Sequence, residues 1–340
     1  MSASNNRITE SNSYHHLMSR IAHQVFFLTE DVRNDLMEMI LRSAEFHGIK
    51  LISWCIMTNH FHLLAYLPDP ELLGEDEIVR RYGVLYGTSR RDALMARLAM
   101  LRASHPQDDA LAQAELKRLT DRMYKIGEFM KVIKQWLTQE YNRRYSHSGT
   151  MWDSVYKDIP VKGESTALAK RAGYIHLNPV RAAITSEFDG YLWSSLTALK
   201  RGDGIALSGL RVIYGDDATK DEILGAHKHL MAELLEKYKL ERAKEIAQKR
   251  RAGFHVEADP LTTEAMIAQA TAQIEACMIA GVEDSVVTSA KRGRPVNANI
   301  ESHIKRLLDS GADLSARALA EAVGCSVPTV YRYLRKMRKP

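Results

Sequence analysis

The sequence predicts an α+β protein, with an all-α segment at its C-terminal end. Long apolar runs without helical periodicity, such as residues 52–66, alternate with amphipathic helical patterns, such as residues 30–47. This alternation is typical of a sheet packed against helices. Residues 300–340, in contrast, carry helical patterns only. We therefore expect a mixed domain first and a small helical domain after it.

Composition limits the class of protein. The chain has 340 residues, of which 45% are hydrophobic and 26% charged, as in soluble globular proteins of two or three domains. Its net charge of +5 mildly favours anionic partners. The cysteines Cys55, Cys277 and Cys325 lie too far apart for zinc-ligand spacing, which predicts a reducing compartment. With no apolar leader and no apolar run of membrane length, we expect a cytoplasmic protein.

The first 48 residues predict a polar segment, a strand and a helix in that order. Residues 1–13 are polar and are expected to be disordered. Residues 14–28 are rich in residues that favour strands and predict a first strand with an irregular end. Residues 30–47 place apolar side chains at helical spacing after two acidic residues and stop at Gly48, which predicts an amphipathic helix.

Residues 52–66 predict one buried strand, ended by the breaker at Pro68. His60 and His62 are two residues apart, so on a strand they share one face at roughly 6.5–7 Å. Two neutral imidazoles on one face can bind one divalent cation. The alternative is that the spacing of His60 and His62 arose by chance and that the two residues bind no metal. A second such pair, His227 and His229, falls in a helical pattern, where residues two apart do not share a face.

The middle of the chain is predicted to be mainly helical. Residues 71–127 are densely charged and predict an insertion of two helices. Residues 128–145 carry one apolar stripe and predict a further helix. Arg143 and Arg144 lie at its end, either on a solvated face or in contact with phosphate. Residues 150–161 predict a strand.

Residues 164–184 predict a helix of three or four turns. Tyr174 and Asn178 are four residues apart and share a face with Lys170 and Arg171. A hydroxyl, an amide and two cations would therefore line one stripe. The alternative is a buried tyrosine whose hydroxyl is hydrogen-bonded to Asn178.

These motifs together resemble a known family. NHFHLL at 59–64, SGTMWDSVYKD at 148–158 and GYIHLNPVRAAI at 173–184 resemble the REP-associated tyrosine transposases, in the single-tyrosine branch of the HUH endonuclease superfamily. WSSLTA at 193–198 resembles the segment that closes the family's catalytic domain. The resemblance covers about residues 14–200. It implies a ferredoxin-like antiparallel sheet with helices on one face.

The resemblance also implies roles for residues. It assigns the nucleophile to Tyr174 and a divalent metal, Mg²⁺ or Mn²⁺, to His60, His62 and Asn178. The implied reaction nicks and rejoins single-stranded or hairpin DNA through a 5′-phosphotyrosine intermediate. Lys170 and Arg171, and with them Arg143 and Arg144, are expected to contact the DNA. The insertion at 71–127 is longer than in compact members and leaves the DNA path and the oligomeric state open.

The remainder predicts DNA binding. Residues 201–290 form a helical extension and linker, with a charged helix at 218–250. The sequence KRGRP at 291–295 resembles an AT-hook core, which reads the minor groove, or is a basic linker. Residues 291–340 are assigned to a separate helical domain.

This last domain carries a helix-turn-helix pattern within residues 300–340. Thr329, Arg332 and Arg335 lie on its second helix and are expected to face the major groove of duplex DNA. A three-helix module for protein contacts is the alternative.

The sequence favours a DNA transposase over two other classes of protein. A non-catalytic DNA-binding regulator would use the C-terminal helices alone, and it would have no reason to keep His60, His62 and Tyr174 together. A metal-dependent phosphodiesterase acting on RNA is the third hypothesis. The sequence predicts neither the target DNA nor the oligomeric state.

Overall fold

The computed structural model describes residues 11–22, 28–105, 107–146 and 148–279. The chain divides into two units, residues 1–271 and 272–340. The described residues include most of the first unit. The predictions of disorder before residue 11 and of a helix-turn-helix at 291–340 lie outside the described residues. Within the described residues, no helix combines the length and apolarity that a membrane span requires.

Four strands form one antiparallel sheet in the order β2-β3-β1-β4. They are β1 (Ser13–Arg20), β2 (Lys50–Ile56), β3 (His60–Leu67) and β4 (Lys157–Val161). Of the strand predicted at 14–28, β1 covers the part up to Arg20, and residues 23–27 lie outside the described residues. The strand predicted at 150–161 is confined to its last residues.

The prediction of one strand over 52–66 is wrong, because β2 and β3 form a hairpin. The chain turns at residues 57–59, where the backbone N–H of Met57 donates to the carbonyl of His60 at 2.8 Å. Both strands are buried almost throughout, so their apolar runs join without the alternation that marks a half-exposed strand. Thr58 and Asn59 were the only polar signal of a turn.

The described helices are α1 (Glu30–His47), α2 (Glu75–Tyr86), α3 (Thr88–Ser104), α4 (Ala110–Thr120), α5 (Ile126–Tyr145), α6 (Ser165–His176), α7 (Asn178–Arg181), α8 (Ser195–Lys200), α9 (Gly204–Tyr214), α10 (Lys220–Arg251) and α11 (Glu264–Ile279). The helices predicted at 30–47, 128–145 and 218–250 are confirmed. The predicted pair of helices in the insertion is corrected to three, α2 to α4.

The helix predicted over 164–184 is also divided. It ends at His176, and the short helix α7 starts at Asn178. Pro179 lies at the start of α7, where its missing N–H is tolerated, but it could not continue the hydrogen bonds of α6. Tyr174 and Asn178 consequently lie on two consecutive helices rather than on one continuous face.

Helices contact both faces of the sheet, whereas the resemblance implied one. Residues alternate between faces along a strand, so Phe61 and His62 point to opposite sides. The ring of His62 lies 6.2 Å from that of Tyr174 on α6. The ring of Phe61 lies 6.2 Å from that of Trp152, whose Nε1 donates to the carbonyl of Lys134 on α5.

The insertion has a small core of its own, formed with α1. Phe46 of α1 is fully buried there with apolar residues of α2, α3 and α4. Most arginines of the insertion are paired with acidic side chains. The ion pairs join Arg80 and Arg81 to Glu77, Arg97 and Arg118 to Glu115, and Arg102 to Glu75 and Asp109. These carboxylates neutralise much of the positive charge of the insertion.

Residues 193–195 close the outer edge of the sheet. The N–H of Ile56 on β2 donates to the carbonyl of Trp193 at 2.9 Å, and the N–H of Trp54 donates to Ser195 Oγ at 3.0 Å. An exposed edge strand would otherwise present unpaired backbone groups. The segment that the sequence suggested would end the catalytic domain thus covers β2.

Candidate active site

A cluster of histidines lies on one face of the sheet. In the β1–β3 register, Met18 pairs with His62 and Arg20 with His60. Because alternate residues share a face, His16 and Arg20 of β1 lie on the same side as His60 and His62. The rings of His60 and His62 are 4.9 Å apart. The hairpin therefore keeps the two histidines on one face, even though it replaces the single strand that was expected.

His16 was not recognised in the sequence as a member of this site. Its Nε2 lies 2.9 Å from Nδ1 of His62, and both side chains are buried. Its neighbour His15 points to the other face and lies 2.8 Å from Asp158. Two adjacent histidines gave no reason to prefer either, and only the pairing of β1 with β3 selects His16.

Helix α6 brings Tyr174 to the histidines. Its ring centroid lies 5.9 Å from that of His16 and 6.2 Å from that of His62. The side chain is 38% exposed. The amide nitrogen of Asn178 donates to the backbone carbonyls of Tyr174 and Ile175, at 3.0 and 3.1 Å. The alternative of a buried tyrosine bonded to Asn178 is therefore wrong.

Three arginines surround this cluster. Arg171 Nη1 lies 3.4 Å from His16 Nδ1, and the Arg181 guanidinium lies 5.0 Å from the centre of the Tyr174 ring. Arg20 is paired with His60 across the strands. None of the three forms an ion pair with a carboxylate in the part of the chain that the structure describes. Their charges remain available to an anion.

The histidines of the cluster are neutral near pH 7. Burial, followed by the positive charge of a nearby arginine, lowers the pKa of His16 and of His60 to about 4. Burial lowers the pKa of His62 further, to about 2, with smaller contributions from the other histidines, Arg20 and Arg181. A neutral imidazole keeps the lone pair that a metal ligand needs.

The residues present fit the divalent metal that the resemblance implies. The Nδ1 of His60 donates to Asn59 Oδ1 at 2.7 Å, since an amide oxygen only accepts, so the lone pair of this neutral ring lies on Nε2. His62 Nδ1 lies 2.9 Å from His16 Nε2, and in the tautomer in which Nδ1 donates this hydrogen bond, the lone pair of His62 lies on Nε2. Such second hydrogen bonds orient metal-binding histidines in proteins. The amide nitrogen of Asn178 donates to backbone carbonyls, so its Oδ1 remains an acceptor, the kind of oxygen atom that the resemblance expects as the third ligand.

No group of three or more His, Cys, Asp or Glu side chains in the described residues is arranged to hold a metal ion. A cation at His60 and His62 would therefore depend on oxygen ligands of another kind. The amide oxygen of Asn178 is one, and phosphate oxygens of a bound nucleic acid are others.

Two of the other predicted DNA-binding residues, Arg143 and Arg144, lie away from the cluster. Arg143 is paired with Glu140 at 2.6 Å, and Arg144 is paired with Glu140 and Asp35, so the structure does not bring them to the cluster. Lys170 is exposed on α6. Thr329, Arg332 and Arg335 lie outside the described residues.

A series of buried hydrogen bonds joins α6 to other helices. His176, two residues after Tyr174, lies 2.6 Å from Ser195 Oγ and 2.8 Å from His227 of α10. His227 in turn lies 2.7 Å from the hydroxyl of Tyr214. All of these hydrogen bonds join different elements of the chain. The sequence gave no signal of this chain of hydrogen bonds, because its members are far apart in sequence.

A separate groove of about 730 Å³ lies between α5 and residues 150–156. Its lining includes Lys134 and Trp152 but none of the clustered histidines. Lys134 already donates to the carbonyl of Ser154 at 2.9 Å. The groove is therefore not the site that holds the chemistry described above.

Comparisons with known proteins agree with the predicted class. Residues 9–72, which contain β1, α1, β2 and β3, match the family described as "Transposase IS200 like". Residues 293–337 match the "Helix-turn-helix domain of resolvase". The resemblance to a transposase and the C-terminal helix-turn-helix pattern are thus confirmed, and together they support a DNA transposase function.

No curated protein sequence matches the chain significantly. Among solved structures, a REP-associated tyrosine transposase bound to a REP hairpin matches with a TM-score of 0.38 and 12% identity. The match covers 59% of this chain and 87% of the other.

Proposed function

We propose that the protein is a metal-dependent DNA transposase that nicks and rejoins single-stranded or hairpin DNA through a 5′-phosphotyrosine on Tyr174. One observation carries the proposal. A solvent-exposed tyrosine lies beside buried, neutral histidines, among arginines that have no carboxylate partner in the described chain. The match of residues 9–72 to IS200-like transposases supports the same reaction class.

The proposed chemistry is a transesterification. The Tyr174 hydroxyl oxygen attacks the scissile phosphorus and releases its proton, while the bond from phosphorus to the 3′ oxygen breaks and that oxygen takes up a proton. A free 3′-OH and a phosphotyrosine result. The phosphodiester energy is retained, so a 3′-OH can attack the phosphotyrosine and join the strands.

The chain's own groups have definite tasks in this reaction. Tyrosine has an ordinary pKa near 10 and needs assistance as a nucleophile at neutral pH. Arg171 and Arg181 place positive charge beside the Tyr174 ring. His60, His62 and Asn178 would hold a Mg²⁺ or Mn²⁺ ion, which polarises phosphate oxygens when bound.

The nucleophile is tested by Tyr174→Phe, which keeps the ring and its packing but lacks the oxygen. The full-length protein is incubated with Mn²⁺ or Mg²⁺ and a 3′-labelled hairpin, then denatured. The wild type is expected to carry label and Tyr174→Phe to carry none, although both bind the hairpin. Tyr145→Phe, which alters another exposed tyrosine, serves as the matched control and is expected to carry label.

Label on Tyr174→Phe, mapped by peptide mass to another tyrosine, would overturn the assignment. No label on the wild type with hairpins from its native flanks would favour the non-catalytic regulator. Label transferred only from RNA hairpins would favour the RNA phosphodiesterase.

The metal site is tested by His60→Ala and His62→Ala. Both are expected to abolish labelling and to lose Mn²⁺ binding measured by electron paramagnetic resonance, because each removes a ligand nitrogen. Circular dichroism verifies that the variants fold. Mn²⁺ binding of wild-type strength by either variant would contradict this assignment.

A further inference from the structure

Arg181, the last residue of α7, lies between two tyrosine rings. Its guanidinium carbon is 5.0 Å from the centre of the Tyr174 ring and 4.1 Å from that of Tyr238 on α10. A planar guanidinium stacks on aromatic faces in this way while its edges stay open to hydrogen bonds. The candidate nucleophile and the long helix α10 thus share one cation.

The hydrogen bonds of Arg181 are incomplete. Its Nε is buried and has no hydrogen-bond partner among the described residues. It also forms no ion pair there, whereas other described arginines such as Arg102 and Arg144 bind carboxylates. A buried donor of a charged group without a partner is costly. This pattern is expected where a ligand supplies the missing acceptor.

The position of Arg181 limits what that ligand can be. Arg181 lies beside the Tyr174 ring, whose centroid is 6.2 Å from that of His62 in the histidine cluster. The guanidinium presents planar N–H donors that match the oxygens of a phosphate group. The guanidinium carbon of Arg171 lies 5.9 Å from the centre of the Tyr174 ring. Two cations therefore lie close to the hydroxyl-bearing ring.

We propose that Arg181 binds the phosphodiester that Tyr174 attacks, and that Tyr238 is the positioning residue that holds Arg181 in place. This inference rests on the proposed function, because it identifies the phosphate group of the same site. It adds α10 to the active site through an aromatic ring that itself does not touch the reacting atoms.

The test compares Arg181→Met with Arg181→Lys, Tyr238→Leu and Tyr238→Phe. The probe is a fluorescent single-stranded DNA that corresponds to the flank of a hairpin. Its binding to the full chain is measured over a series of salt concentrations, with chelator present so that no cleavage occurs. Arg181→Met is expected to weaken binding about tenfold or more. It should also lower the log–log salt slope by about 0.7, the contribution of one phosphate group bound on a single strand.

The remaining variants separate charge from geometry. Arg181→Lys keeps the charge but not the planar fork, so we expect the salt slope to be retained and the yield of covalent adduct to fall. Tyr238→Leu should reduce the slope as Arg181→Met does, whereas Tyr238→Phe keeps the ring and should bind as the wild type does. The matched control is Arg97→Met, which removes an arginine of the insertion and should leave binding unchanged.

The outcomes distinguish this inference from the proposed function. A wild-type salt slope and affinity in Arg181→Met, with the wild type forming adduct, would make Arg181 a packing residue and overturn the inference alone. Inorganic phosphate is the second probe, read by thermal unfolding. If phosphate stabilises the wild type but not Arg181→Met while no nucleic acid binds, free phosphate is the ligand, and both the phosphodiester assignment and the proposed function fail.

Discussion

His176 and His227 show how burial sets the chemistry of single residues. Burial lowers the pKa of His227 from 6.5 to about 4, and it lowers the pKa of His176 well below its ordinary value, with the neighbouring His227 as a smaller cause. Both rings are therefore neutral when they join α6 to α10. A neutral imidazole can donate with one nitrogen and accept with the other, which allows the hydrogen-bonded chain from Ser195 to Tyr214 to form.

This burial predicts a pH dependence of stability. The pKa of His227 is lower in the folded chain than in the unfolded chain. Below about pH 6.5 the unfolded chain therefore binds more protons than the folded chain does. The contribution of the neutral His227 to the free energy of unfolding is thus fully present above about pH 6.5, and it is lost as the pH falls towards 4. Between pH 7.5 and 5.5 we expect His227 to account for roughly 1 kcal/mol of lost unfolding free energy.

Urea unfolding of His227→Gln measures this effect. The variant is expected to be less stable at pH 7.5, since it breaks the chain of hydrogen bonds, but to lose less stability between pH 7.5 and 5.5 than the wild type. Tyr214→Phe is the matched control, because it removes the hydrogen bond to His227 and retains the titrating ring. Equal pH dependence in His227→Gln and the wild type would contradict the prediction.

At the scale of elements, helix α9 closely approaches strand β2 at Gly209. A Cβ atom at this position would lie 2.5 Å from the carbonyl oxygen of Leu51 and 2.7 Å from that of Ile52. Both atoms belong to the backbone of β2, so they cannot move aside as a flexible side chain would. A glycine is therefore required for α9 to cover this part of the sheet.

Gly209→Ala is expected to lower the free energy of unfolding by about 1–3 kcal/mol through overpacking, despite alanine's better helix propensity. The matched substitution is Gly225→Ala in α10, where a Cβ would meet no atom within 4 Å. It should raise the unfolding free energy by roughly 0.5–1 kcal/mol. Denaturant midpoints check both. A Gly209→Ala protein as stable as Gly225→Ala would show that α9 does not pack against β2 in this way.

For the whole molecule, the sequence separates the candidate active site from the helix-turn-helix match. The histidine cluster lies in the unit of residues 1–271, and the helix-turn-helix match lies at residues 293–337. We predict that removing residues 291–340 weakens binding to duplex DNA and flattens its salt dependence, by about 0.9 in log–log slope for each phosphate group that is no longer bound. Labelling of a short hairpin by residues 1–290 should persist.

Binding titrations over a range of salt concentrations check this prediction for the full chain and for residues 1–290. The full chain carrying Arg332→Ala and Arg335→Ala is the control that keeps the length of the protein. It should resemble the truncation if these residues contact duplex DNA. An unchanged salt slope after truncation would assign the C-terminal helices to protein contacts.

Local patterns in the sequence were sufficient for much of the fold and for the first members of the site. Amphipathic periodicity predicted the helices at 30–47, 128–145 and 218–250. The spacing of His60 and His62 predicted that they share a face, because side-chain alternation depends only on neighbouring residues. The motif around Tyr174 located the helix that faces them.

Tertiary structure was needed wherever residues distant in sequence meet. His16 joins the site through the β1–β3 register, and Arg181 meets Tyr238 because α10 packs near α7. The hairpin inside residues 52–66 was hidden because burial on both sides of two strands removes the alternating pattern. The charge of Arg143 and Arg144 was visible in the sequence, but their carboxylate partners depend on packing. Sequence patterns therefore predicted the types of chemical group, and long-range packing brought them together.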